Sequence, residues 1–358
     1  MHSEQHHLIA DTVQRLFSDH ADEARRQCEA TGDMPASLWQ LVADNGLHLA
    51  LAGAEAGGSE LSWPDAYPIL HGIGYWQVPL PLAETMVAAA LLSGVGIEVP
   101  EGPITLIEAG RQAGLRLSRE GDAFVLDGEA TEVPWAGVSN RALVSGDGAL
   151  ALVDLSGAGV TITAGHNTAG ERRDGVAFAQ VRSGKVAHLS NGAPQEPVFL
   201  LGALARSAMM VGALESALDM SVTYANDRSQ FGRPIGKYQA IQQSLAELAG
   251  EVTSAAMATQ VACEGVSAGW GTASFDIAVA KVRAGEAATR APVIAHQVHG
   301  AIGFTHEHAL HHATQRLWAW RREFGSDGLW AGMLGRAAMA AGSGGFWQGV
   351  TARKLPAA

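Results

Sequence analysis

Cysteine is almost absent from this chain: 358 residues hold two, Cys28 and Cys263. Two thiols cannot build a disulfide framework or a cysteine-rich zinc site, which fits a reducing, cytoplasmic compartment. Charge is scarce as well. Charged residues make up 17 % and hydrophobic ones 47 %, against roughly 25 % charged in an average soluble protein. So little charge implies little exposed surface per residue, as in an oligomer that hides much of its exterior. Positive charge is the scarcer sign, with 24 Lys and Arg against 36 Asp and Glu, a net charge of −12. That balance excludes a general nucleic-acid binder, which needs basic surface to displace counterions. A local basic site for an anionic cofactor stays open. The longest uninterrupted apolar run, Thr85 to Ile97, stops at Glu98, short of the ~18–20 residues that span a bilayer. The first residues, to Phe17, mix acidic, basic and apolar types and do not read as a secretory signal. The expectation is a cytoplasmic protein whose partners include no membrane and no nucleic acid.

Apolar residues then recur at helical spacing through the first 100 positions. Leu8, Thr12, Val13, Leu16 and Phe17 form one stripe. Leu38, Leu41 and Val42 form another after Pro35, closed by Asn45 and Gly46, where glycine accepts the left-handed end of a helix. Pro64–Gly74 and Ala83–Ser93 continue the pattern beyond a loop at Ala54–Ser59. Near Pro100 the texture changes to short runs at 104–107, 115–117, 123–126, 142–144, 149–155, 160–162 and 176–181, separated by turns such as Gly121-Asp122 and Asp127-Gly128. Short strands at this spacing predict a small antiparallel barrel or sandwich. From Phe199 long Ala-rich helical segments return, at 199–227, 236–268, 274–299, 306–323 and 327–341. They suit a tightly packed bundle. The expected fold is a multidomain α+β chain, with a helical N-domain over 1–100, a β domain over 101–192 and a helical bundle over 193–358.

Two segments carry chemistry. RSQFGRPIGKYQAIQ, Arg228–Gln242, begins where a long helix should end. Gly232, Pro234 and Gly236 force a loop there, with Arg228, Arg233 and Lys237 in or beside it. Arginine beside the free N–H groups of a helix end holds phosphate; the same stretch also reads as a connector with solvated charges. QVHGAIGFTHE, Gln297–Glu307, again lies between two helices. Gly300 and Gly303 admit a ligand close to the backbone, and Gln297 offers an amide to a ribityl chain or phosphate. The plainer reading is a glycine-rich helix–helix turn.

Together these segments resemble the acyl-CoA dehydrogenase family. That family carries R-x-x-F-G-x-x-[IL], then F-Q-x-[IL]-Q, then Q-x-x-G-G-x-G-[FY]-x-x-E. Arg228–Gln242 matches the first two nearly throughout, and Gln297–Glu307 matches the last with Ala301 for its second glycine. The Gly57-Gly58 loop is similar to the family's glycine-pair turn, with Ala54 in place of its proline. The helix, strand, helix order and the C-terminal four-helix bundle are those of this family. The resemblance implies an FAD flavoprotein that oxidises the Cα–Cβ bond of an acyl-CoA thioester. A glutamate removes the α-proton, the flavin takes the β-hydride, and an electron-transferring flavoprotein carries the electrons away. Subunits pair as a dimer of dimers with FAD across the subunit boundary. Carried over, the diphosphate and adenine side of FAD is held by Arg228, Gln230 and Phe231, with Gln239 on the following helix. Gln297, Val298, His299, Gly300 and Ala301 contribute from the glycine turn, and Ser326 from the turn beside the family's base.

The resemblance also marks what this chain lacks. The base often sits in an E-G-T turn after the fourth long helix, where this sequence reads Phe324-Gly325-Ser326 with Glu323 adjacent. One residue along a helix turns a side chain by about 100°. Glu323, the catalytic candidate, therefore points elsewhere unless the helix is irregular there. Other members place the base on the first long helix of the C-domain. That register is Gly202, and no carboxylate lies between Phe199 and Met210. The T-E-P-x-x-G-S-D segment is missing around Ile104–Gly114, and the W-I-T/S segment reads Val133–Ala136. A kept diphosphate grip beside lost flavin-ring and acyl segments is the pattern of the short, degenerate subunit in bacterial heteromeric acyl-CoA dehydrogenases. The stretches His299–His308 and Trp318–Ser326 are similar to that subgroup as well. The expectation is an acyl-CoA dehydrogenase subunit working in a heterotetramer with a longer homologue. The alternatives are a self-sufficient homo-oligomer using Glu323, or a structural relic without catalysis. The sequence does not name the acyl group.

Other clusters read more plainly. His308 and His312 stand four apart and could ligate a metal, but Leu310 occupies the second histidine position of H-E-x-x-H, and no metal is expected. Trp318, Trp320 and Trp330 read as core or interface aromatics. Arg206 is open to two readings, a contact to a CoA phosphate or an ion pair between helices or subunits.

Overall fold

The computed structural model describes residues 4–354 apart from Asp122 and Asn191, so the aspartate of the expected Gly121-Asp122 turn lies outside the described residues. Four helices come first, α1 (Glu4–Thr31), α2 (Ala36–Asp44), α3 (Trp63–Tyr75) and α4 (Leu82–Gly94). Strands follow: β1 (Ile104–Glu108), β2 (Leu115–Glu120), β3 (Ala123–Pro134), β4 (Arg141–Gly146), β5 (Ala149–Asp154), β6 (Val160–Thr163), β7 (Arg173–Ser183) and β8 (Val186–His188). The rest is α5 (Pro197–Asp227), a hairpin of β9 (Ser229–Gln230) and β10 (Arg233–Pro234), then α6 (Gln239–Ser267), α7 (Trp270–His299), α8 (Leu310–Trp320) and α9 (Asp327–Thr351).

The chain divides into two compact units. One runs to Ala66 and resumes at Val78–Gly202; the other holds Tyr67–Gln77 and continues from Ala203. In the first unit, the α1 stripe buries Val13, Phe17, Ala21 and Ala24, one turn apart. The β region forms two four-stranded sheets, ordered β1-β4-β5-β8 and β2-β3-β7-β6. Ile107, Val144 and Val153 from the first sheet share a core with Leu126, Val176 and Phe178 from the second. The sandwich expectation therefore holds, but not the barrel or the purely antiparallel order. Each sheet keeps its own edge strands, and β1 pairs with β4 in parallel.

The second unit packs through small residues. Ala280, Ala284, Ala287, Ala291 and Ala295 of α7 are all fully buried, which lets helices approach closely. The α3 segment and α5 touch at the backbone: a Cβ on Gly212 would overlap the His71 carbonyl, and one on Gly74 the Met209 carbonyl. The register is fixed by His71 Nε2 to Glu215 Oε2 at 2.6 Å and by Tyr75 Oη donating to Asp219 at 2.8 Å. Several expected boundaries shift. The α8 helix starts at Leu310 rather than 306, because a 3₁₀ turn at Gly300–Phe304 and a loop intervene. The α9 helix continues past 341 across a break at Gly342, whose φ and ψ are 65° and 175°. The bound on apolar segments also needs correction. Arg206 and the serines interrupt α5 as a run, yet the helix is long and apolar enough to cross a bilayer; its most apolar window is wholly buried, as in a core helix.

Candidate functional site

In the second unit, the end of α5, the β9–β10 hairpin and the start of α6 face the end of α7 and the turn beyond it. Between them lies a cleft of about 550 Å³. Arg228, Gln230 and Phe231 from one sequence segment line it together with Gln297, Val298, His299, Gly300 and Ala301 from the other. Phe231 and Gly232 form the hairpin turn, both at positive φ, 50° and 80°, as a two-residue type I′ turn requires. Phenylalanine is strained in that conformation, and here it is 93 % exposed. The loop braces itself. Tyr238 Oη donates to the Gln230 carbonyl at 3.0 Å, Ile235 N to the Arg228 carbonyl at 2.8 Å, and the Arg233 guanidinium lies 4.2 Å over the Tyr238 ring. Among the described residues, the side chains of Arg228, Gln230 and Gln297 make no hydrogen bond or ion pair. Three polar groups thus face the cleft with their bonding capacity unspent.

The opposite wall is a tight turn. Gly300 closes α7 at φ 64° and ψ −142°, a conformation open to glycine. A Cβ on Gly303 would stand 2.9 Å from the His299 Cβ, so the turn is packed against that histidine. His299 is 3 % exposed. Its ring stacks on Tyr224 at 4.7 Å and meets His308 edge-on at 4.6 Å. Its Nδ1 bonds the Ala295 carbonyl at 2.8 Å, while its Nε2, buried, has no hydrogen-bond partner among the described residues. Burial, followed by the charge of neighbouring rings, lowers the pKa of His296, His299 and His308 below the ordinary imidazole value.

Two expected cofactor residues fall outside this cleft. Gln239 opens α6 but does not line it. Ser326 caps α9, its Oγ accepting from Leu329 N at 3.2 Å. Arg233 and Lys237 are not in the lining either. Sequence reasoning missed the cleft's aromatic and aliphatic walls, Tyr224, Tyr238, Ile235 and Ile241. Tyr224 stands one helical turn before Arg228, so spacing back from the arginine was the available signal.

Glu323 lies elsewhere in the second unit. The expectation that it follows helical spacing fails, because α8 stops at Trp320 and 321–324 are turns. Glu323 accepts from Arg206 Nε at 2.6 Å, and the Arg206 guanidinium lies 5.5 Å from the Phe324 ring. Of the two readings of Arg206, the buried ion pair is the one found. Lys281 is fully buried beside them, donating to the Arg321 carbonyl at 2.9 Å; burial pushes its pKa down to about 7. Gly202, the other base register, is buried within α5. Among the described residues no group of three or more His, Cys, Asp or Glu is placed to hold a metal.

Residues 195–348 match the family model described as the acyl-CoA dehydrogenase C-terminal domain, and residues 3–98 match the N-terminal domain. The chain belongs to the acyl-CoA dehydrogenase family. It is 29 % identical over 314 residues to acyl-CoA dehydrogenase IpdE2 of Mycolicibacterium smegmatis, covering 86 % of this chain and 90 % of that one. Its fold is shared with the ChsE4–ChsE5 complex from Mycobacterium tuberculosis at 22 % identity and a TM-score of 0.84, over 95 % of this chain and 98 % of that one. It is shared likewise with PigA solved with FAD and proline, at 16 % identity and a TM-score of 0.83, over 96 % and 99 %. The two matched ranges flank the β sheets and include both walls of the cleft. The family is one of flavoprotein oxidoreductases, and the turn after α8 places the Phe324 ring next to the ion-paired Glu323 carboxylate.

Proposed function

We propose that this chain is an FAD-holding subunit of an acyl-CoA dehydrogenase that has no proton-abstracting base of its own. The cleft's chemistry suits the diphosphate side of the cofactor. An arginine and two amides without internal partners converge on it, and the buried Nε2 of His299 has no hydrogen bond. Arg228 is the charge-assisted contact in this reading, with Gln230 and Gln297 as amide contacts. The exposed, strained Phe231 offers an apolar face to a ring. FAD, when bound, supplies the hydride acceptor for α,β-oxidation of an acyl thioester.

The observation that carries the subunit reading is the Arg206–Glu323 pair beside Phe324. A general base needs a free lone pair within about 3 Å of the proton it takes. The Glu323 carboxylate is instead engaged by the buried Arg206 guanidinium at 2.6 Å, so that oxygen is committed to an ion pair. A partner chain with an intact base would complete the site. Chains of this fold solved as the ChsE4–ChsE5 complex support that arrangement. An acyl-CoA substrate and an electron-transferring flavoprotein as acceptor belong to the same proposal.

The test is anaerobic titration of the purified chain with acyl-CoA esters, alone and after co-expression with a longer homologue. We expect a yellow protein whose flavin bleaches only with the partner present. Arg228→Ala should lose flavin on dialysis, since a charge-assisted contact contributes roughly 1.5–3 kcal/mol. Bleaching by the chain alone that Glu323→Gln abolishes would make Glu323 the base and overturn the subunit reading. A colourless chain that binds no FAD would make it a relic.

A further inference from the structure

This inference rests on the FAD reading of the cleft and concerns how protons enter it. His299 sits in the cleft wall with Nδ1 committed to the Ala295 carbonyl, so the proton is on Nδ1 and Nε2 is a lone pair. The titratable groups around it come from four segments. Tyr224 stands on α5 and Arg228 just beyond its end, and His296 one turn earlier on α7. His308 meets it from the turn before α8, with His306 and Glu307 on the same turn. On α8, His311 meets the His306 ring and bonds the His308 carbonyl, and His312 packs on His311 and accepts from Arg316 through its carbonyl. The Met220 carbonyl of α5 acts on the ring in the same sense as Ala295, favouring its protonated form, while burial and His296 oppose it.

We propose that His299 takes up a proton when a diphosphate occupies the cleft, so that anion binding here is coupled to pH. Without the anion, burial and the neighbouring His296 ring disfavour a charge here, and the ring stays neutral. With a diphosphate in the cleft, the added negative charge favours the imidazolium. The new Nε2–H also turns a buried lone pair that makes no hydrogen bond into a donor. By reciprocity, protons then tighten the anion's binding by the same factor. The linkage predicts a dissociation constant that falls by up to about tenfold for each unit that pH drops through the range where the ring takes up its proton.

Calorimetric titration of the flavin-free full chain tests this with two probes, FAD and ADP, which shares the diphosphate and lacks the flavin ring. Run at pH 6.5 in MES and in Bis-Tris, the heat should differ between buffers by the amount that uptake of up to about one proton per site requires. His299→Gln should remove that difference and flatten the pH dependence. His299→Phe, which keeps a ring on Tyr224, serves if the Gln variant does not fold. Heats independent of buffer, with a dissociation constant flat across pH in the wild type, overturn the proton link and leave the FAD reading standing. Buffer-dependent heats that persist in both variants overturn the role of His299. Failure of both FAD and ADP to bind overturns the reading of the cleft itself.

Discussion

Glu108, at the end of β1, is 5 % exposed, and its Oε2 accepts from Phe199 N at 3.2 Å in the first turn of α5. Burial dominates over that bond and pushes its pKa from 4.5 up to about 8, with Glu196 adding in the same direction. The folded chain therefore binds more protons than the unfolded one between those two values. The stability from Glu108 is fully present below about 4.5 and is lost as pH rises through 8. Glutamine keeps an oxygen for the Phe199 N–H and has no proton to lose. Relative to Glu108→Gln, the wild type should weaken by up to about 1.4 kcal/mol per pH unit across that window. Urea unfolding of both proteins at pH 5 and pH 8.5 checks this, and parallel losses would refute it. No sequence pattern marks this residue, since its burial depends on the strand order of a sheet. The Arg206–Glu323 pair was equally out of reach, joining residues 117 apart. The cleft was legible because each wall is one contiguous motif, so glycine, arginine and amide stand together in the chain before they meet in space.

Helices show the same contrast. The length of α5 follows from an unbroken apolar period, and its end at Asp227 from the glycine-rich loop after it. The expected stop of α9 at 341 coincides with the break at Gly342, although the chain resumes a helix beyond it. The short β8 strand, only three residues long, was missed. What no periodicity reveals is how closely two helices approach. Gly212 and Gly74 bring α3 and α5 into backbone contact, and the His71–Glu215 and Tyr75–Asp219 bonds are spaced for that distance. A methyl on Gly212 has to displace the α3 backbone rather than a side chain. Gly212→Ala should therefore cost about 1–3 kcal/mol or more through overpacking, against the small gain alanine brings to an exposed helix. A lowered urea midpoint with an unchanged slope is the expected result. A midpoint at or above wild type would mean the two helices are free to part.

Across the whole molecule, the low charge content finds a location. Among the described residues, the large apolar side chains left exposed belong to the second unit, Leu8 apart. They include Phe231 at the cleft mouth, Phe304 on the turn, Trp318 on α8, and Met339 and Trp347 on α9, the last two 83 % and 70 % exposed. Where such side chains adjoin, they mark association surfaces in soluble proteins. Burying each such side chain contributes on the order of 1.5–3 kcal/mol, enough for a few of them to hold subunits together against the cost of association. Sedimentation at micromolar concentration should show a dimer or larger species. Hydrogen exchange should slow in α8 and α9 as concentration rises, while α1 and α2, in the other unit, stay unchanged. If the chain pairs only with a longer homologue, the same protection should appear on mixing the two. A monomer that stays monomeric in both experiments would remove the physical reason for its low surface charge. It would also sever the assembly from the subunit reading, because a chain without a base acts only where a neighbour brings one.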